Sequence, residues 1–342
     1  MLAFLAALTA GLVLTPIARR HALRTGLVAH PIADRWHKEP TALLGGLAIG
    51  LASVAGLAVA VMVPARAGTP SAVEHLATSR GFGVAAAAAL MFIVGYTDDR
   101  KWTFFQTKLT TQLVAGTLLV LSGAVFAVTP WPTANALLTL LWFVGITNAF
   151  NLIDNMDGVA AGVGAIAALT LGIFSARSGA WLQTAAAWAL AGAALGFLRY
   201  NFHPAKIFMG DVGSLFIGSS LAGLLVTLPV ATASTEISRL IISATMVAVP
   251  IVDTILVFTT RTLAGRKFYH GARDHSTHRL AQLGLGDRQV AYVAYAVTAL
   301  ASAVALARLE SGLVAIIGIG FFVLLGLATV GLVHKTRGSK RR

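Results

Sequence analysis

The sequence predicts an all-α, polytopic integral membrane protein. Of its 342 residues 57% are hydrophobic and only 11% are charged, and the mean hydropathy is +0.79. Soluble domains carry roughly 25% charged residues. Apolar runs close to the ~20 residues that an α-helix needs to cross a bilayer recur along the chain. We therefore expect about eleven transmembrane helices, with ten as the alternative count.

The expected spans follow one another with short connections. They cover residues 1–18, 42–64, 81–97, 108–128, 134–150, 159–176, 180–198, 213–230, 237–260, 289–307 and 313–333. The positive charges of the first span follow its apolar run, which favours a retained span with its N-terminus outside over a signal peptide. We expect one integral membrane domain over residues 1–334 and a basic cytoplasmic tail over residues 335–342.

The distribution of basic residues supports this threading. Of the 26 Lys and Arg residues, five lie on the expected outer side: Arg66, Arg80, Arg177, Arg239 and Arg308. The positive-inside rule then places the other loops and the C-terminus in the cytoplasm. The net charge of +13 is explained by topology, so we expect a lipid bilayer as partner and no nucleic acid. The chain has no cysteine, which excludes disulfides and thiolate chemistry.

Most acidic residues gather on the same inner side, and the most polar stretch, residues 147–162, lies between two apolar spans. In it Asn148, Asn151, Asp154 and Asp157 recur every third residue. On a helix this spacing gives one slowly winding polar seam. A polar loop between two spans is the alternative. We expect the seam to be part of a site that faces the cytoplasm.

An acidic pair follows the third span. Asp98 and Asp99 are adjacent carboxylates, which suggests a divalent cation, a shared proton or simple solvation at a span end. On a helix the two side chains diverge by about 100°, so we expect them to have different roles. Lys108 opens the next span and could supply an ammonium group to a phosphate.

A glycine-flanked aspartate begins the eighth span. Gly210 and Gly213 bracket Asp211, and free N–H groups at this helix start, with Ser214 as candidate cap, favour an anion. Because Asp211 would repel a bare phosphate, a Mg²⁺ ion that bridges the two makes the arrangement sensible. Phe208 is either a stacking surface for a base or interfacial packing.

Two basic loops complete the inner face. The loop of residues 29–46 offers Lys38 as a cationic donor, with anchoring at the membrane interface as the alternative. The loop of residues 261–288 carries His275, His278 and Arg279. Two histidines three residues apart could bind zinc, but the neighbouring arginines suit a diphosphate better, since arginine grips phosphate in a bidentate manner.

In their order along the chain these motifs resemble the polyprenyl-phosphate N-acetylhexosamine-1-phosphate transferases, the WecA/MraY-like superfamily. Asp98 and Asp99 are similar to the acidic pair of its first catalytic loop. Residues 148–158 resemble its Asn/Asp signature, and residues 208–214 its magnesium-binding segment. Asn201 is similar to a nucleotide-contacting Asn. The resemblance covers nearly the whole membrane domain.

The resemblance implies a reaction at the cytoplasmic face of the plasma (inner) membrane. A sugar 1-phosphate passes from a UDP-sugar to undecaprenyl or decaprenyl phosphate, giving polyprenyl-diphospho-sugar and UMP, and this step initiates a cell-envelope glycan. Residues 35–41 and 273–279 look like the WecA branch, which uses UDP-GlcNAc or a related UDP-HexNAc. The resemblance implies Mg²⁺, with Mn²⁺ as the alternative, and leaves a homodimer open.

The same resemblance implies a set of site residues. The metal is expected at Asp211 with Asp99. The catalytic residues are expected to be Asp98, Asp99, Asp154, Asp157, His275 and His278. The residues expected to bind substrate are Lys38, Lys108, Asn148, Asn151, Asn201, Phe208 and Arg279. Asp98 or Asp99 would take the proton from the lipid phosphate or orient it. Direct attack and a covalent aspartyl-phosphate route both remain open.

Two other functions remain as alternatives. The first is the phospho-MurNAc-pentapeptide transferase of the same superfamily, which typically carries consecutive histidines in its last catalytic loop. The second is a cation-coupled secondary transporter that uses Asp253, which lies inside an expected span. Transporters place ionisable groups near the midplane at repeat interfaces, whereas here the acids gather at one face without a repeat, which favours an enzyme.

Overall fold

The computed structural model describes residues 1–29, 40–66, 78–101, 103–229, 236–265 and 274–307, with four isolated positions beyond them. Helices occupy most of this part of the chain. In order they are α1 (Leu2–Thr25), α2 (Gly45–Arg66), α3 (Ser79–Lys101), α4 (Phe105–Leu121), α5 (Pro132–Ile153), α6 (Val159–Arg177), α7 (Trp181–Asn201), α8 (Gly210–Val226), α9 (Glu236–Met246), α10 (Ala248–Leu263), α11 (Ser276–Gln282) and α12 (Asp287–Leu306).

The prediction of a polytopic all-α membrane protein is confirmed. Within the described residues, seven helices are long and apolar enough to cross a membrane, or eight if the pair α9 and α10 forms one span. That pair is bent by 80°, so the expected span 237–260 is broken near Val247. The expected spans 108–128 and 213–230 correspond to α4 and α8, which have 17 residues each. Apart from the four isolated positions, the expected span 313–333 lies outside the described residues, as does the basic tail. The count of eleven spans and the orientation in the membrane stay predictions.

A short antiparallel ribbon of β1 (Val28–Ala29) and β2 (Thr41–Ala42) precedes α2. Ile207 forms a parallel bridge with Ala42 beside this ribbon. The Phe208 N–H donates to the Ala42 carbonyl over 2.8 Å, and the Gly45 N–H donates to the Phe208 carbonyl over 2.9 Å. These backbone bonds hold the segment before α8 beside the start of α2.

Glycines let the first turn of α8 touch its neighbours. A Cβ atom on Gly46 of α2 would lie 2.0 Å from the backbone nitrogen of Gly213, which is closer than atoms can approach. A Cβ atom on Gly95 of α3 would lie 2.5 Å from the backbone of Asp211 and Val212. Such small residues are the usual means of close helix approach in membrane proteins. The start of α8 is therefore held between α2 and α3.

The core surrounds α6, most of whose residues are buried. Its side chains are mainly alanine and glycine, so α7 and α12 can pack closely against it. A Cβ atom on Gly162 would lie 2.1 Å from the ring of Tyr295 in α12, and the Tyr295 hydroxyl donates to the Gly158 carbonyl over 2.7 Å. The turn that joins α5 to α6 is fixed by these contacts.

The contact between α2 and α8 gives a stability prediction. We expect Gly46→Ala to destabilise the protein by about 1–3 kcal/mol, because its methyl group forces the helix starts apart. A lower thermal midpoint in detergent would report this loss. Gly145→Ala is the matched control, because a Cβ atom there meets nothing within 4 Å. Equal midpoints for the two variants would contradict the contact.

Candidate active site

A carboxylate from α3 caps the N-terminus of α8. One oxygen of Asp99 accepts the Asp211 N–H over 2.8 Å, and the other accepts the Val212 N–H over 3.1 Å. The sequence alone predicts that these N–H groups are free for an anionic ligand, with Ser214 as candidate cap. In the structure the anion is Asp99 itself, a long-range partner that local sequence does not reveal. Gly210, with φ +70°, lies against the Asp99 carboxylate.

Lys108 joins two other carboxylates. Its ammonium donates to Asp98 Oδ2 over 3.0 Å and to Asp211 Oδ2 over 2.9 Å. Asp98 also accepts hydrogen bonds from the backbone N–H and the hydroxyl of Thr103. The two members of the acidic pair, Asp98 and Asp99, therefore face different partners, as their divergence on a helix predicts. Three helix ends, those of α3, α4 and α8, meet at this ammonium.

The amide half of the polar seam runs along α5 beside this cluster. Asn151 Nδ2 donates to Asp211 Oδ1 over 3.0 Å and to Ser214 Oγ over 2.9 Å. One turn earlier, Asn148 exchanges amide hydrogen bonds with Gln112 of α4 over 2.6 and 3.2 Å. Asn151 thus belongs to the carboxylate cluster, whereas Asn148 fastens α5 to α4.

Asp154 lies at the end of α5 and completes the cluster electrostatically. Burial first, and then the surrounding negative charges, raise the pKa of its carboxyl to about 8. Those charges belong to Asp211, Asp99 and Asp157. Among the described residues the Asp154 carboxylate has no hydrogen-bond partner. The site therefore carries a surplus of negative charge that a cation would relieve.

Asp157 and Asn201 fasten the seam to the loop that follows α7. Asp157 Oδ2 accepts the Ala205 N–H over 3.0 Å and lies 2.8 Å from His203 Nδ1. The side chain of Asn201 is buried, accepts the Gly158 N–H and donates to the Ile207 carbonyl, each over 3.0 Å. Both residues hold backbone in place, and the catalytic role of Asp157 and the substrate contact of Asn201 stay predictions.

The histidine segment, which we define as residues 274–279, lies against α10 and the 154–158 turn. His275 Nδ1 is 2.7 Å from Asp253 Oδ2, and the His275 and His278 rings pack edge to face at 5.6 Å. The Thr277 hydroxyl donates to Asn155 Oδ1 over 2.7 Å, which links this segment to the residue after Asp154. The histidines and the acidic seam are thus parts of one connected surface.

Two arginines contact Asp274, the first residue of the histidine segment. Arg261 of α10 forms a two-point ion pair with Asp274, over 2.7 and 3.0 Å. Burial raises the pKa of Asp274, but the hydrogen bonds and charge of Arg261 outweigh it and hold that pKa below its ordinary value. Arg279 Nε donates to the Asp274 carbonyl over 3.0 Å.

Six of the expected residues form the carboxylate cluster: Asp98, Asp99, Lys108, Asn151, Asp154 and Asp211. Phe208 is half-buried beside it and bonds β2 through its backbone. Lys38 lies outside the described residues. In the described part of the chain, no three acidic or histidine side chains converge in the manner of a complete metal site.

Several contacts were missed because their partners are far apart in sequence. Asn155 lies beside the period-three seam and offers no spacing signal, yet it receives the Thr277 hydroxyl. Asp253 and Arg261 are eight residues apart on α10, and their partners lie in a different loop. Gln112 was visible as a polar residue in an apolar span, and that was the signal that could have found it.

Comparison with known proteins identifies the family. Residues 81–229 match the model of glycosyl transferase family 4. A probable undecaprenyl-phosphate N-acetylglucosaminyl 1-phosphate transferase of Bacillus subtilis (strain 168) is 32% identical over 304 residues, which cover 86% of this chain and 81% of the relative. The chain belongs to glycosyl transferase family 4. The resemblance to the WecA/MraY-like superfamily is confirmed, and the protein is a phosphotransferase.

Two further relatives carry the names of two different transferases. A decaprenyl-phosphate N-acetylglucosaminephosphotransferase of Mycobacterium tuberculosis is 34% identical over 312 residues, 81% of this chain and 74% of the relative. A phospho-N-acetylmuramoyl-pentapeptide-transferase of Heliobacterium modesticaldum is 31% identical over 323 residues, 86% of this chain and 92% of the relative.

The raised pKa of Asp154 predicts a pH-dependent stability. The ordinary pKa is 3.8, so the stability linked to the neutral form is complete below that pH and is lost as the pH rises to about 8. In EDTA, Asp154→Asn should therefore raise the thermal midpoint by about 3 °C or more near pH 8. The gain should narrow towards pH 5.

Asp157→Asn is the matched control for this measurement. Its carboxylate accepts the Ala205 N–H and contacts His203, so its loss should lower the midpoint. A gain from Asp154→Asn that is the same at every pH would contradict the charge surplus.

Proposed function

We propose that the protein transfers N-acetylglucosamine 1-phosphate from UDP-GlcNAc to polyprenyl phosphate, giving polyprenyl-diphospho-GlcNAc and UMP. The observation that carries this proposal is the meeting of Asp98, Asp211 and Lys108 at the start of α8, beside Asp99 and Asp154. A reaction between two phosphate anions needs charge neutralisation and in-line positioning above all. The names of the two GlcNAc-phosphate relatives support this choice of sugar.

The carboxylate cluster fits Mg²⁺. This ion is usually held by one or two carboxylates together with waters and substrate phosphates, so it does not need a cage of three protein ligands. Asp211 and Asp154 are the residues that would hold it, because their charges lie together and Asp154 has no hydrogen-bond partner among the described residues. When bound, the ion supplies positive charge to the diphosphate of the UDP-sugar. Mn²⁺ is the alternative.

The acidic pair divides its work in this proposal. Both oxygens of Asp99 accept backbone N–H groups of α8, so Asp99 positions Asp211. Asp98 shares Lys108 with Asp211, and we assign to it the proton of the lipid phosphate or its orientation. Lys108 neutralises the cluster in the absence of substrate and can bind a phosphoryl oxygen when substrate arrives.

The histidine segment supplies the remaining contacts to phosphate or sugar. His275, His278 and Arg279 are placed beside the acidic turn by the bond between Thr277 and Asn155. Asp157, Asn148 and Asn201 shape the nucleotide side of the site by holding its backbone and helices. The site is assigned to the cytoplasmic face of the plasma membrane, because the basic loops fall on that side.

The alternatives are less well supported. The phospho-MurNAc-pentapeptide transferase reaction keeps one observation in its favour, the relative from Heliobacterium modesticaldum. Ion transport through Asp253 loses its basis, because both oxygens of that carboxylate are bonded to His275 and Ser276.

Release of UMP tests the proposed reaction. Purified protein in detergent, with Mg²⁺, UDP-GlcNAc and undecaprenyl phosphate, should release UMP, and EDTA should stop it. Asp98→Asn and Asp211→Asn should each lower kcat by at least about 100-fold. The first removes the group assigned to the proton or the orientation of the lipid phosphate, and the second removes a residue that would hold Mg²⁺.

Glu236→Gln is the control for the loss of a carboxylate. Glu236 pairs with Arg239 and receives the Ala127 N–H beyond the far end of α4, so its loss should leave kcat within about threefold of wild type. Turnover at the wild-type rate by both aspartate variants would refute the proposal. Release of UMP with UDP-MurNAc-pentapeptide as donor, but not with UDP-GlcNAc, would refute it too.

A further inference from the structure

The carboxylate of Asp253 lies within α10 and is buried, with 1% of the residue exposed. One oxygen accepts both the backbone N–H and the hydroxyl of Ser276, over 2.7 and 2.6 Å. The other lies 2.7 Å from His275 Nδ1. All its partners are therefore in the histidine segment, and neither the proposed chemistry nor the membrane core explains why it is there.

The imidazole of His275 is held in one orientation by this contact. Because a carboxylate oxygen only accepts, the hydrogen bond requires the proton on Nδ1. The side chain is 6% exposed, and within the described residues Nε2 has no hydrogen-bond partner. Asp253 thus fixes one nitrogen and leaves the other for a ligand atom.

The charges around His275 favour an anionic ligand. His278 and Arg279 follow it in α11, and Asp274 precedes it, but Asp274 is neutralised by the two-point ion pair with Arg261. Asp253 itself stabilises positive charge on the imidazole. With its Nδ1–H engaged by Asp253, the ring presents Nε2 as the nitrogen for a phosphoryl oxygen. Because that oxygen only accepts, Nε2 must carry a proton as well, so the ring binds it as an imidazolium.

We propose that Asp253 is a positioning residue for the phosphotransfer reaction, which holds His275 so that Nε2 binds a phosphoryl oxygen of the substrate. This proposal rests on the proposed function. Asp253 does not touch the substrate. It acts through His275 in the way that the outer carboxylate of a catalytic or metal-binding His fixes the working nitrogen. The bend between α9 and α10 places this carboxylate at the segment.

The alternative is a brace that only keeps α11 against α10. A double-mutant cycle separates the two roles. Asp253→Asn removes the carboxylate charge that balances an imidazolium and offers Nδ1 an amide donor in place of an acceptor. The ring is then held neutral, and its hydrogen bond to a phosphoryl oxygen is no longer charge-assisted. His275→Asn keeps a donor towards Asp253 but has no atom at the Nε2 position. Each replacement stays close to the original shape.

In the UMP-release assay we expect Asp253→Asn to lower kcat about 10–100-fold, with KM for UDP-GlcNAc within about threefold of wild type. Asp253→Glu should recover a part of this loss. The double variant Asp253→Asn/His275→Asn should be no slower than His275→Asn alone, because Asp253 acts only through that ring. Thr254→Val, which removes a neighbouring buried hydroxyl, should retain wild-type kcat.

A brace would give a different pattern. The two losses would then multiply in the double variant, and Asp253→Asn would lower the thermal midpoint while kcat per folded molecule stayed unchanged. Either result overturns the positioning role. Ser276→Ala covers the case in which Asp253→Asn does not fold, because it removes a single hydrogen bond to Asp253. We expect roughly threefold lower kcat for it, and an unchanged kcat would contradict the proposal.

The wild-type rate in the same assay tests the proposed function separately. Without UMP release from wild type, the reaction itself is wrong and the positioning role falls with it. With wild-type turnover and a wild-type kcat for folded Asp253→Asn, the reaction stands and the role of Asp253 is refuted.

Discussion

The carboxylate of Asp99 on the N–H groups of Asp211 and Val212, in the first turn of α8, is the contact on which the site depends. A charge-assisted hydrogen bond of this kind contributes about 1.5–3 kcal/mol, and the helix dipole adds to it. It fixes the backbone of Asp211, the residue that Lys108 and Asn151 then bind. The glycines at positions 46, 95 and 213 are needed because the three helices must come this close.

This arrangement concentrates negative charge where the bundle is already densely packed. Lys108 neutralises part of it, while Asp154 is left with a pKa of about 8. A cation and a phosphate together satisfy such a site better than either does alone, because the cation relieves the carboxylates and the anion uses the remaining positive charge. Charge balance thus supports the proposed binding of a metal together with a diphosphate, independently of the family relationship.

Sequence patterns were sufficient for what depends on local periodicity. The apolar runs predicted most helices, and the spacing of residues 148–157 predicted a seam that reaches the carboxylate cluster through Asn151. They were insufficient where a partner is distant along the chain. The Asp99 cap, the Asn201 contact with Gly158 and the Asp253 contact with His275 span separations of 112, 43 and 22 residues.

Helix boundaries were predicted less well than the helices themselves. The span 237–260 has continuous hydropathy, which does not reveal the 80° bend within it, although Pro250 lies just after the break. The expected span 213–230 also runs past the end of α8 at Val226, although Thr227 and Pro229 are local signals of a helix end. Such breaks matter for function, since α10, which follows the bend, carries the Asp253 and Arg261 that contact the histidine segment.

In the proposed reaction the sugar moves together with its phosphate. UDP-GlcNAc labelled with ³²P at the β-phosphate tests this transfer, with undecaprenyl phosphate as acceptor and Mg²⁺ present. We expect the label to enter the lipid product and the released nucleotide to be unlabelled UMP. Labelled UDP in the aqueous phase, with an unlabelled glycolipid, would contradict it, because the sugar would then have been transferred without its phosphate.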